Sequence, residues 1–282
     1  MANLRLCVKN AIDYASMSAS PDMLPTLPPS NLQLIARGRV AQSTSAAVQQ
    51  IKFHWNGAGY YMNFLMLSRH NLEGGSSWRV QLYSSRDWTG TPIYDSGTVE
   101  AVDGATLGES DFGSEPLGAG IQGSYLGQVF SIVYFARVRA VSGIVTLDNT
   151  TNAYGYLQAS RLYAGDYTEL AYNPQTADFA WGNETRQKRS GGGSLRSDGK
   201  IAYRTLDMSV DFLTDAQRSI FADQLRFAGQ SKDIFLSLFP GVGGTKERDY
   251  SMIAKYVGQP PKMRMQSARF QTLAVQLSLQ ET

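Results

Sequence analysis

The sequence has few of the residues from which catalytic and metal sites are built. Its 282 residues include one cysteine and two histidines. A single cysteine excludes a disulfide within the chain, and two separated histidines do not supply a zinc cluster or a Ser-His-Asp triad. The sequence also has no nucleophile-elbow, phosphate-loop or dinucleotide motif. We therefore predict no catalytic residues, no metal site and no cofactor.

The few reactive side chains have surroundings that favour structural roles. Cys7 has neither a histidine nor an acid beside it, which favours a small buried residue over a reactive thiol. His54 alternates with Lys52 and Asn56, which places it on the polar face of a strand. His70 lies in a turn after an apolar strand. We predict a structural or solvated role for both histidines.

Long apolar runs and concentrated charge are also lacking. No stretch approaches the roughly 18 apolar residues that a membrane-spanning helix needs, and residues 1–10 lack the apolar segment of a secretory signal. The formal net charge is +2, without the basic stripe of a nucleic-acid-binding domain. We expect synthesis in a reducing cytoplasm, no membrane span and no specific nucleic-acid partner.

The abundant residues favour β-structure with many turns. The chain contains 27 Gly, 15 Tyr and 12 Phe, and 43% of its residues are hydrophobic. Short runs rich in β-branched and aromatic residues, separated by turn residues, predict strands. The predicted strands are 33–40, 47–53, 60–67, 78–84 and 128–141. Strands of this length and spacing are typical of a β-sandwich.

Proline and glycine set the expected boundaries. Four prolines between positions 21 and 29 oppose a helix interior or a central strand, so 1–30 is predicted to be an irregular arm that orders only on assembly. The sandwich is predicted over 31–145, with a long glycine-rich loop or a pair of hairpins at 103–127. A second unit is predicted over 146–282.

The second unit has the pattern of an α+β domain. Alternation of apolar and polar residues over 206–212 and 273–279 predicts two strands that each bury one face. The apolar run 234–239 predicts a buried strand that ends at a proline. A mostly antiparallel sheet packed by one helix is the expected arrangement.

The helix of this unit has clear end signals. Thr214 and Gln217 have the spacing of a capping box, and Gly229 stands where the helix should end. We predict a helix at about 214–228. Its expected apolar side is formed by Ile220, Phe221 and Leu225.

A basic segment precedes the helix, around the glycines at 191–193. Its cations are Arg186, Lys188, Arg189, Arg196 and Lys200. They could contact an anion, either phosphate or an acidic protein surface. The alternative is a solvated hairpin that becomes ordered at a subunit interface. Aromatic residues, which single-stranded nucleic-acid binding needs, do not interleave with them, and this favours the second interpretation.

The order of several motifs resembles minor tail or tail-tip proteins of long-tailed bacteriophages. The matching residues are His70-Asn71-Leu72, Trp78-Arg79-Val80, Tyr94-Asp95-Ser96-Gly97, Arg137, Asn152, Gly155-Tyr156 and Arg161-Leu162-Tyr163. The chain departs from the family pattern at Arg69 and Ser160, where the family has glycine, and at Phe135, where it has tryptophan. The similarity covers most of 30–170.

This resemblance implies a fold, a function and partners. The first part resembles a galactose-binding-like sandwich, and the layout of the second is similar to the tube-forming domain of tail tube and distal tail proteins. The implied function is structural: a distal-tail-like ring in the virion, expected to be a hexamer, that joins the tail tube to the baseplate hub after assembly in the host cytoplasm. The implied partners are further copies of the chain, the tail tube protein, the baseplate hub and other tail-tip proteins. The basic segment would be an arm that reaches a neighbouring subunit.

A carbohydrate-binding module that serves host adsorption is the alternative function. Sandwiches of this type often stack exposed aromatic rings on sugars. Trp88 and Tyr125, on predicted loops, are the candidates for contact with a host-surface glycan. A core or interface role is the alternative for each of them.

Overall fold

The computed structural model describes residues 2–19, 22–102, 130–199, 202–258, 262–266 and 272–282. They form two compact units. Unit 1 comprises Met1–Glu169 and Ile234–Met252, and unit 2 comprises Leu170–Asp233 and Ile253–Thr282. The predicted fold class is confirmed, because both units consist mainly of antiparallel strands with few helices.

The elements follow one another along the chain in a mostly β order. The strands are β1 (Arg5–Cys7), β2 (Ser16–Ala19), β3 (Ala41–Gln42), β4 (Gln49–His54), β5 (Tyr60–Ser68), β6 (Ser77–Tyr83), β7 (Tyr94–Asp95), β8 (Val99–Glu100), β9 (Phe130–Ala140), β10 (Ser142–Asp148), β11 (Gln158–Ala159), β12 (Arg161–Gly165), β13 (Thr168–Glu169), β14 (Thr176–Gly182), β15 (Arg186–Arg189), β16 (Leu195–Asp198), β17 (Tyr203–Leu213), β18 (Ile234–Ser237), β19 (Ser251–Tyr256), β20 (Lys262–Gln266) and β21 (Thr272–Glu281). The helices are α1 (Asp215–Ala228), α2 (Gly244–Tyr250) and two 3-10 turns at Ala11–Tyr14 and Pro29–Gln33. No helix in the described part of the chain is long and apolar enough to span a bilayer.

Unit 1 contains a β-sandwich. One sheet has the order β2-β4-β10-β6-β7, with β8 also paired to β6, and the other has the order β12-β5-β9. A single hydrophobic cluster holds side chains from both sheets, among them Phe53 and Leu82 from the first and Leu65 and Leu162 from the second. Gly143 lies on the inner face, where a Cβ atom would come within 2.4 Å of the Phe53 ring. The two sheets therefore share one close-packed core.

Residues 2–19 do not belong to an irregular arm. β1 pairs with both β13 and β18, and β2 pairs with β4. Leu6 and Ile12 are fully buried, and the Asn10 side chain accepts a hydrogen bond from the Ala164 N–H at 3.0 Å. Gly165 makes this docking possible, since a Cβ there would lie 2.6 Å from the Lys9 carbonyl oxygen. The prolines begin only at position 21, so the segment before them is free to form strands.

The two units do not have the predicted boundaries at residues 30 and 145. β12 pairs with β5 and thereby completes the sandwich beyond the expected boundary. Unit 1 also takes in Ile234–Met252, which supplies β18 to the strand pairing of β1. Strand pairing between distant parts of the chain, which local patterns do not reveal, sets these boundaries.

Several predicted strands are confirmed and one is wrong. β4, β5 and β6 occupy the strands expected at 47–53, 60–67 and 78–84. The strand expected at 33–40 is instead the end of a 3-10 turn followed by irregular chain with a turn at 37–38, and only the short β3 comes after it. The glycine-rich loop expected at 103–127 lies outside the described residues.

Unit 2 is a sheet with a helix, as predicted. β17 pairs with β14 on one side and with β21 on the other, and β19 and β20 pair with β21. Met208 lies opposite Leu277, and both are buried, which confirms the alternating patterns. The Arg204 side chain and backbone N–H donate to the Glu281 carboxylate, and both side chains are buried.

Helix α1 begins and ends where the sequence indicates. Thr214 Oγ1 accepts from the Gln217 N–H, and Gln217 Oε1 accepts from the Thr214 N–H, which is the predicted capping box. Gly229 ends the helix with a φ of 51°. Phe221 is fully buried as expected, but Ile220 is 44% exposed and does not belong to the buried side. The buried side of the helix is therefore narrower than the spacing of its apolar residues predicts.

Candidate functional site

Trp88 has an unusual backbone conformation for a surface residue of the sandwich. It lies between β6 and β7, and its backbone φ is 54°, in the left-handed region. This region costs an L-residue roughly 1–2 kcal/mol. The indole N–H lies 3.2 Å from the Phe53 carbonyl oxygen and 3.1 Å from that of Gly143, and donates to both. The ring is therefore held in one orientation against the neighbouring strands β4 and β10.

Basic side chains surround this indole. The His54 ring stands edge-on to it, with ring centroids 5.7 Å apart, and Lys52 Nζ lies 5.7 Å from the indole centroid. Arg86 Nη2 lies 3.2 Å from His54 Nε2. Lys52 and His54 alternate along β4 and so share its outward face. We call the four residues Lys52, His54, Arg86 and Trp88 the Trp88 patch.

The hydrogen bonds of the patch leave it rich in donors. A guanidinium can only donate, so His54 Nε2 accepts from Arg86 and the ring proton lies on Nδ1. His54 Nδ1 is buried and has no hydrogen-bond partner among the described residues. Within that same part of the chain, neither Lys52 nor Arg86 forms an ion pair. Such an arrangement can bind acceptor oxygens beside an aromatic ring.

The acid on the same sheet face belongs to a structural cluster. The Asp95 carboxylate accepts from Arg79 Nε at 2.8 Å, from Gln81 Nε2 at 3.0 Å and from the Gly97 N–H at 2.9 Å. The hydrogen bond from the Arg79 guanidinium is the main reason why the pKa of Asp95 is lowered to about 2. Asp95 thus joins the Trp-Arg-Val strand to the Tyr-Asp-Ser-Gly turn and does not serve the Trp88 patch.

His70 has a structural role. Its Nδ1 accepts from the Leu72 N–H at 3.3 Å, so its Nε2 carries the proton and donates to Ser131 Oγ at 2.7 Å. Ser131 in turn donates to the Ala101 carbonyl oxygen. Burial lowers the pKa of His70 to about 3. The imidazole is therefore neutral and joins the turn after β5 to β9.

A cleft of about 230 Å³ in unit 1 contains a carboxylate that is already engaged. It is lined in part by Tyr134 and Glu247. The two Glu247 carboxylate oxygens accept from the backbone N–H groups of Gly241 and Gly243 at 2.9 and 2.8 Å. Burial raises the pKa of the Tyr134 hydroxyl well above its ordinary value, and Glu247 adds to this shift. The segment 241–243 before α2 is thus closed by a carboxylate, which would repel a phosphate.

The basic segment of unit 2 is an exposed hairpin. β15 and β16 pair with each other, and all of their residues are exposed. Lys188 lies opposite Arg196, although like charges opposite one another are destabilising. In the described part of the chain, the four cations Arg186, Lys188, Arg189 and Arg196 form no ion pair. Lys200, the fifth predicted cation, lies outside the described residues.

The adjoining sheet carries the opposite charge. Asp178 on β14 lies directly opposite Asp207 on β17, and both are exposed. Neither carboxylate has an ion pair among the residues that the structure describes. Trp181, further along β14, is 60% exposed. Unit 2 therefore presents an unneutralised acidic pair and an unneutralised basic hairpin.

The structure thus places the predicted site residues in two separate settings. Trp88 belongs to unit 1 and the basic segment belongs to unit 2, while Tyr125 lies outside the described residues. Sequence analysis missed Lys52, His54 and Arg86 as companions of Trp88. The alternation of Lys52 and His54 was the available signal. Over the described ranges, no group of His, Cys, Asp and Glu could hold a metal ion.

Comparison with known proteins gives weak likenesses only. No family model and no curated protein matches the sequence. A chitosan-binding module from a chitosanase/glucanase of Paenibacillus sp. IK-5 is 14% identical, with a TM-score of 0.36, 55% of this chain covered and 98% of that chain. The module CBM32-1 from a family 31 glycoside hydrolase of Clostridium perfringens is 10% identical, with a TM-score of 0.37 and coverage of 56% and 98%. An f-lectin from striped bass serum is 8% identical, with a TM-score of 0.35 and coverage of 97% and 98%. These values are too low to transfer a function to this chain.

Proposed function

We propose that unit 1 is a non-catalytic carbohydrate-contacting module and that the Trp88 patch is its contact surface. The observation that carries this proposal is the strained backbone of Trp88, whose indole is held by two hydrogen bonds beside unpaired cations. Strained φ values in non-glycine residues cluster at functional sites, where the surrounding structure maintains them. A fixed indole offers an apolar ring to the C–H face of a sugar, and its polar neighbours offer donors to hydroxyl and ring oxygens.

The chemistry of the patch supports binding rather than hydrolysis. Hydrolysis of a glycosidic bond generally needs a pair of carboxyl groups that flank the bond. The Trp88 patch contains none, and the Asp95 carboxylate on the same face is engaged by Arg79 and Gln81. A bound sugar would therefore be held and released unchanged.

The test compares Trp88→Ala with a matched tryptophan variant. Trp181→Ala removes an exposed indole from unit 2 and is the control. We expect the full chain to bind a subset of glycans on an array, and Trp88→Ala to lose that binding while Trp181→Ala keeps it. Thermal unfolding of each variant shows whether a loss of glycan binding is caused by the missing indole or by a failure to fold. Undiminished binding by a folded Trp88→Ala variant would overturn the proposal.

A second function, self-assembly as a structural protein, is supported by the hairpin of unit 2. An isolated two-stranded hairpin is at best marginally stable in water, so a surface that covers β15 and β16 would stabilise it. The cations of the hairpin complement the Asp178 and Asp207 carboxylates of a second copy. Such a contact joins two different surfaces, and repeated contacts of this kind close into a ring or extend into a filament.

This contact suits the phage tail-tip role that the motifs suggest. In that role the chain would form a hexameric ring in the virion between the tail tube and the baseplate hub, and the sandwich could contact a host-surface glycan. Light scattering and negative-stain imaging of the full chain test the assembly. We expect a ring with a central channel that dissociates when Lys188→Glu and Arg196→Glu are combined. Adding Asp178→Lys and Asp207→Lys should restore the ring, and an assembly indifferent to all four changes would contradict the proposed contact.

A further inference from the structure

We infer that the Trp88 patch selects sugars that carry an acidic group, a carboxylate or a sulfate, over neutral ones. This inference rests on the proposed carbohydrate contact and names the class of its ligand. Its basis is the hydrogen-bonding and charge inventory of the patch, which holds donors and positive charge without a free acceptor.

The cations of the patch differ from several arginines of unit 1 that form ion pairs. Arg5 pairs with Glu169 at 3.0 Å, Arg137 with Asp166 at 2.8 Å, and Arg161 with Asp13 at 2.6 Å. Arg86 and Lys52 form no ion pair within the described ranges. The sandwich thus neutralises several of its cations internally and leaves two uncompensated beside one indole.

Two acids of the sandwich, Asp87 and Asp95, do not pair with the cations of the patch. Asp87 follows Arg86 in the sequence, is exposed and has no ion pair in the described part of the chain. Asp95 lies on the same sheet face, but its oxygens accept from Arg79, Gln81 and Gly97. Neither carboxylate forms an ion pair with Lys52 or Arg86 in the described part of the chain.

The donors of the patch match an anionic oxygen better than a hydroxyl. A neutral sugar presents hydroxyl groups that both donate and accept, and its donors need acceptors on the protein. The His54 nitrogen that can accept is already used by Arg86, and the other carries a proton. A carboxylate or sulfate accepts from several donors and donates nothing, and hydrogen bonds between ions are about twice as strong as neutral ones.

The geometry allows one acidic group to meet several of these donors. Arg86 contacts His54 at 3.2 Å, and His54 and Lys52 each lie 5.7 Å from the indole centroid. An acidic sugar whose ring rests on Trp88 would place its charged group next to Lys52 and Arg86. The indole then provides the surface on which the sugar ring stacks, and the two cations favour acidic sugars over neutral ones.

The experiment compares matched acidic and neutral glycans on the full chain. Sialyl-lactose is compared with lactose, galacturonan with galactan, and sulfated with unsulfated galactose. We expect the acidic member of at least one pair to bind about tenfold tighter or more. We also expect this preference to shrink as salt rises from about 50 to about 300 mM.

Charge variants show whether the patch is the source of the preference. Lys52→Gln and Arg86→Gln should each weaken binding of the acidic member much more than binding of the neutral member, so that most of the preference is lost. Arg39→Gln, which removes an exposed cation elsewhere in unit 1, is the control and should have no effect.

Three outcomes separate this inference from the function on which it rests. Equal binding of acidic and neutral members, or a preference that survives both patch variants, overturns the inference and leaves the carbohydrate contact in place. Absence of binding to every glycan overturns both. Selective binding that disappears in Lys52→Gln and Arg86→Gln supports both.

Discussion

Asn152 donates a hydrogen bond from its side-chain amide to the backbone carbonyl oxygen of Asn71 at 2.7 Å. Asn71 in turn donates from its own amide to the Tyr156 carbonyl oxygen at 2.8 Å and accepts from the Gln158 N–H at 2.7 Å. The turn after β5 and the segment before β11 are therefore held together by two side-chain amides. Two motifs that stand far apart in the sequence form one structural unit at the end of the sandwich.

Removal of the Asn71 side chain should loosen this unit. In Asn71→Ala, the Tyr156 carbonyl and the Gln158 N–H lose their partners, and we expect a loss of about 1–3 kcal/mol in the free energy of unfolding. Urea denaturation measures it. Asn56→Ala, at an exposed loop position, is the control and should change stability by less than about 0.5 kcal/mol. Equal stability of the two variants would show that water replaces the amide of Asn71.

The neutral state of His70 should make stability depend on pH. Burial lowers its pKa from 6.5 to about 3, so below the unfolded value the unfolded chain binds a proton that the folded chain does not. The contribution of neutral His70 to the free energy of unfolding is complete above the pKa of His70 in the unfolded chain. It is lost as the pH falls towards the pKa in the folded chain, by up to about 1.4 kcal/mol per pH unit.

A comparison with His70→Gln isolates this contribution. Urea denaturation at about pH 7 and about pH 5 should show a larger loss of stability for the unaltered chain than for the variant, by roughly 2 kcal/mol. The variant is expected to be less stable than the unaltered chain at about pH 7, because Ser131 loses the hydrogen bond that His70 donates. If the stability of both proteins depended on pH in the same way, His70 would take up a proton in the folded chain as readily as in the unfolded chain.

Arg69 occupies a backbone conformation that suits glycine. Its φ is 52°, in the left-handed region, and this is the position at which the tail-protein resemblance has glycine. We expect Arg69→Gly to stabilise the chain by up to about 1 kcal/mol, since relief of about 1–2 kcal/mol of strain outweighs the entropy that glycine gains on unfolding. Arg69→Val should destabilise it. A lower melting temperature for Arg69→Gly would show that the contacts of the arginine side chain outweigh the strain.

Loss of one partner of the buried pair Arg204–Glu281 should destabilise the chain more than replacement of both partners by apolar residues. Arg204 Nη2 donates to Glu281 Oε1 at 2.7 Å, and both side chains are less than one-tenth exposed. Arg204→Ala leaves a buried carboxylate without its cation, and we expect a loss of about 3–5 kcal/mol. The double variant Arg204→Met with Glu281→Leu should lose less than Arg204→Ala. A double-mutant cycle by denaturation checks this, and strict additivity would contradict it.

Local patterns predicted those elements whose signals lie within a few residues. The alternation in β4, β6, β17 and β21 appears directly in the sequence because successive side chains of a strand point to opposite faces. The start of α1 was readable because Thr214 and Gln217 bond to each other across three residues, and its end was readable from Gly229. The exposure of Ile220 was not readable, because it depends on which part of the helix the sheet covers.

The sequence by itself determined the mainly β composition of the chain, most of its longer strands and one capped helix, because residue periodicity and capping act locally. The tertiary structure alone decided that residues 2–19 pack into unit 1, where β2 joins the sandwich, and that Ile234–Met252 belongs to unit 1. It also decided that the loop after β6 folds back, so that Trp88 and Arg86 meet Lys52 and His54. These outcomes depend on pairing and packing between segments far apart in the chain, whose partners a local pattern does not specify.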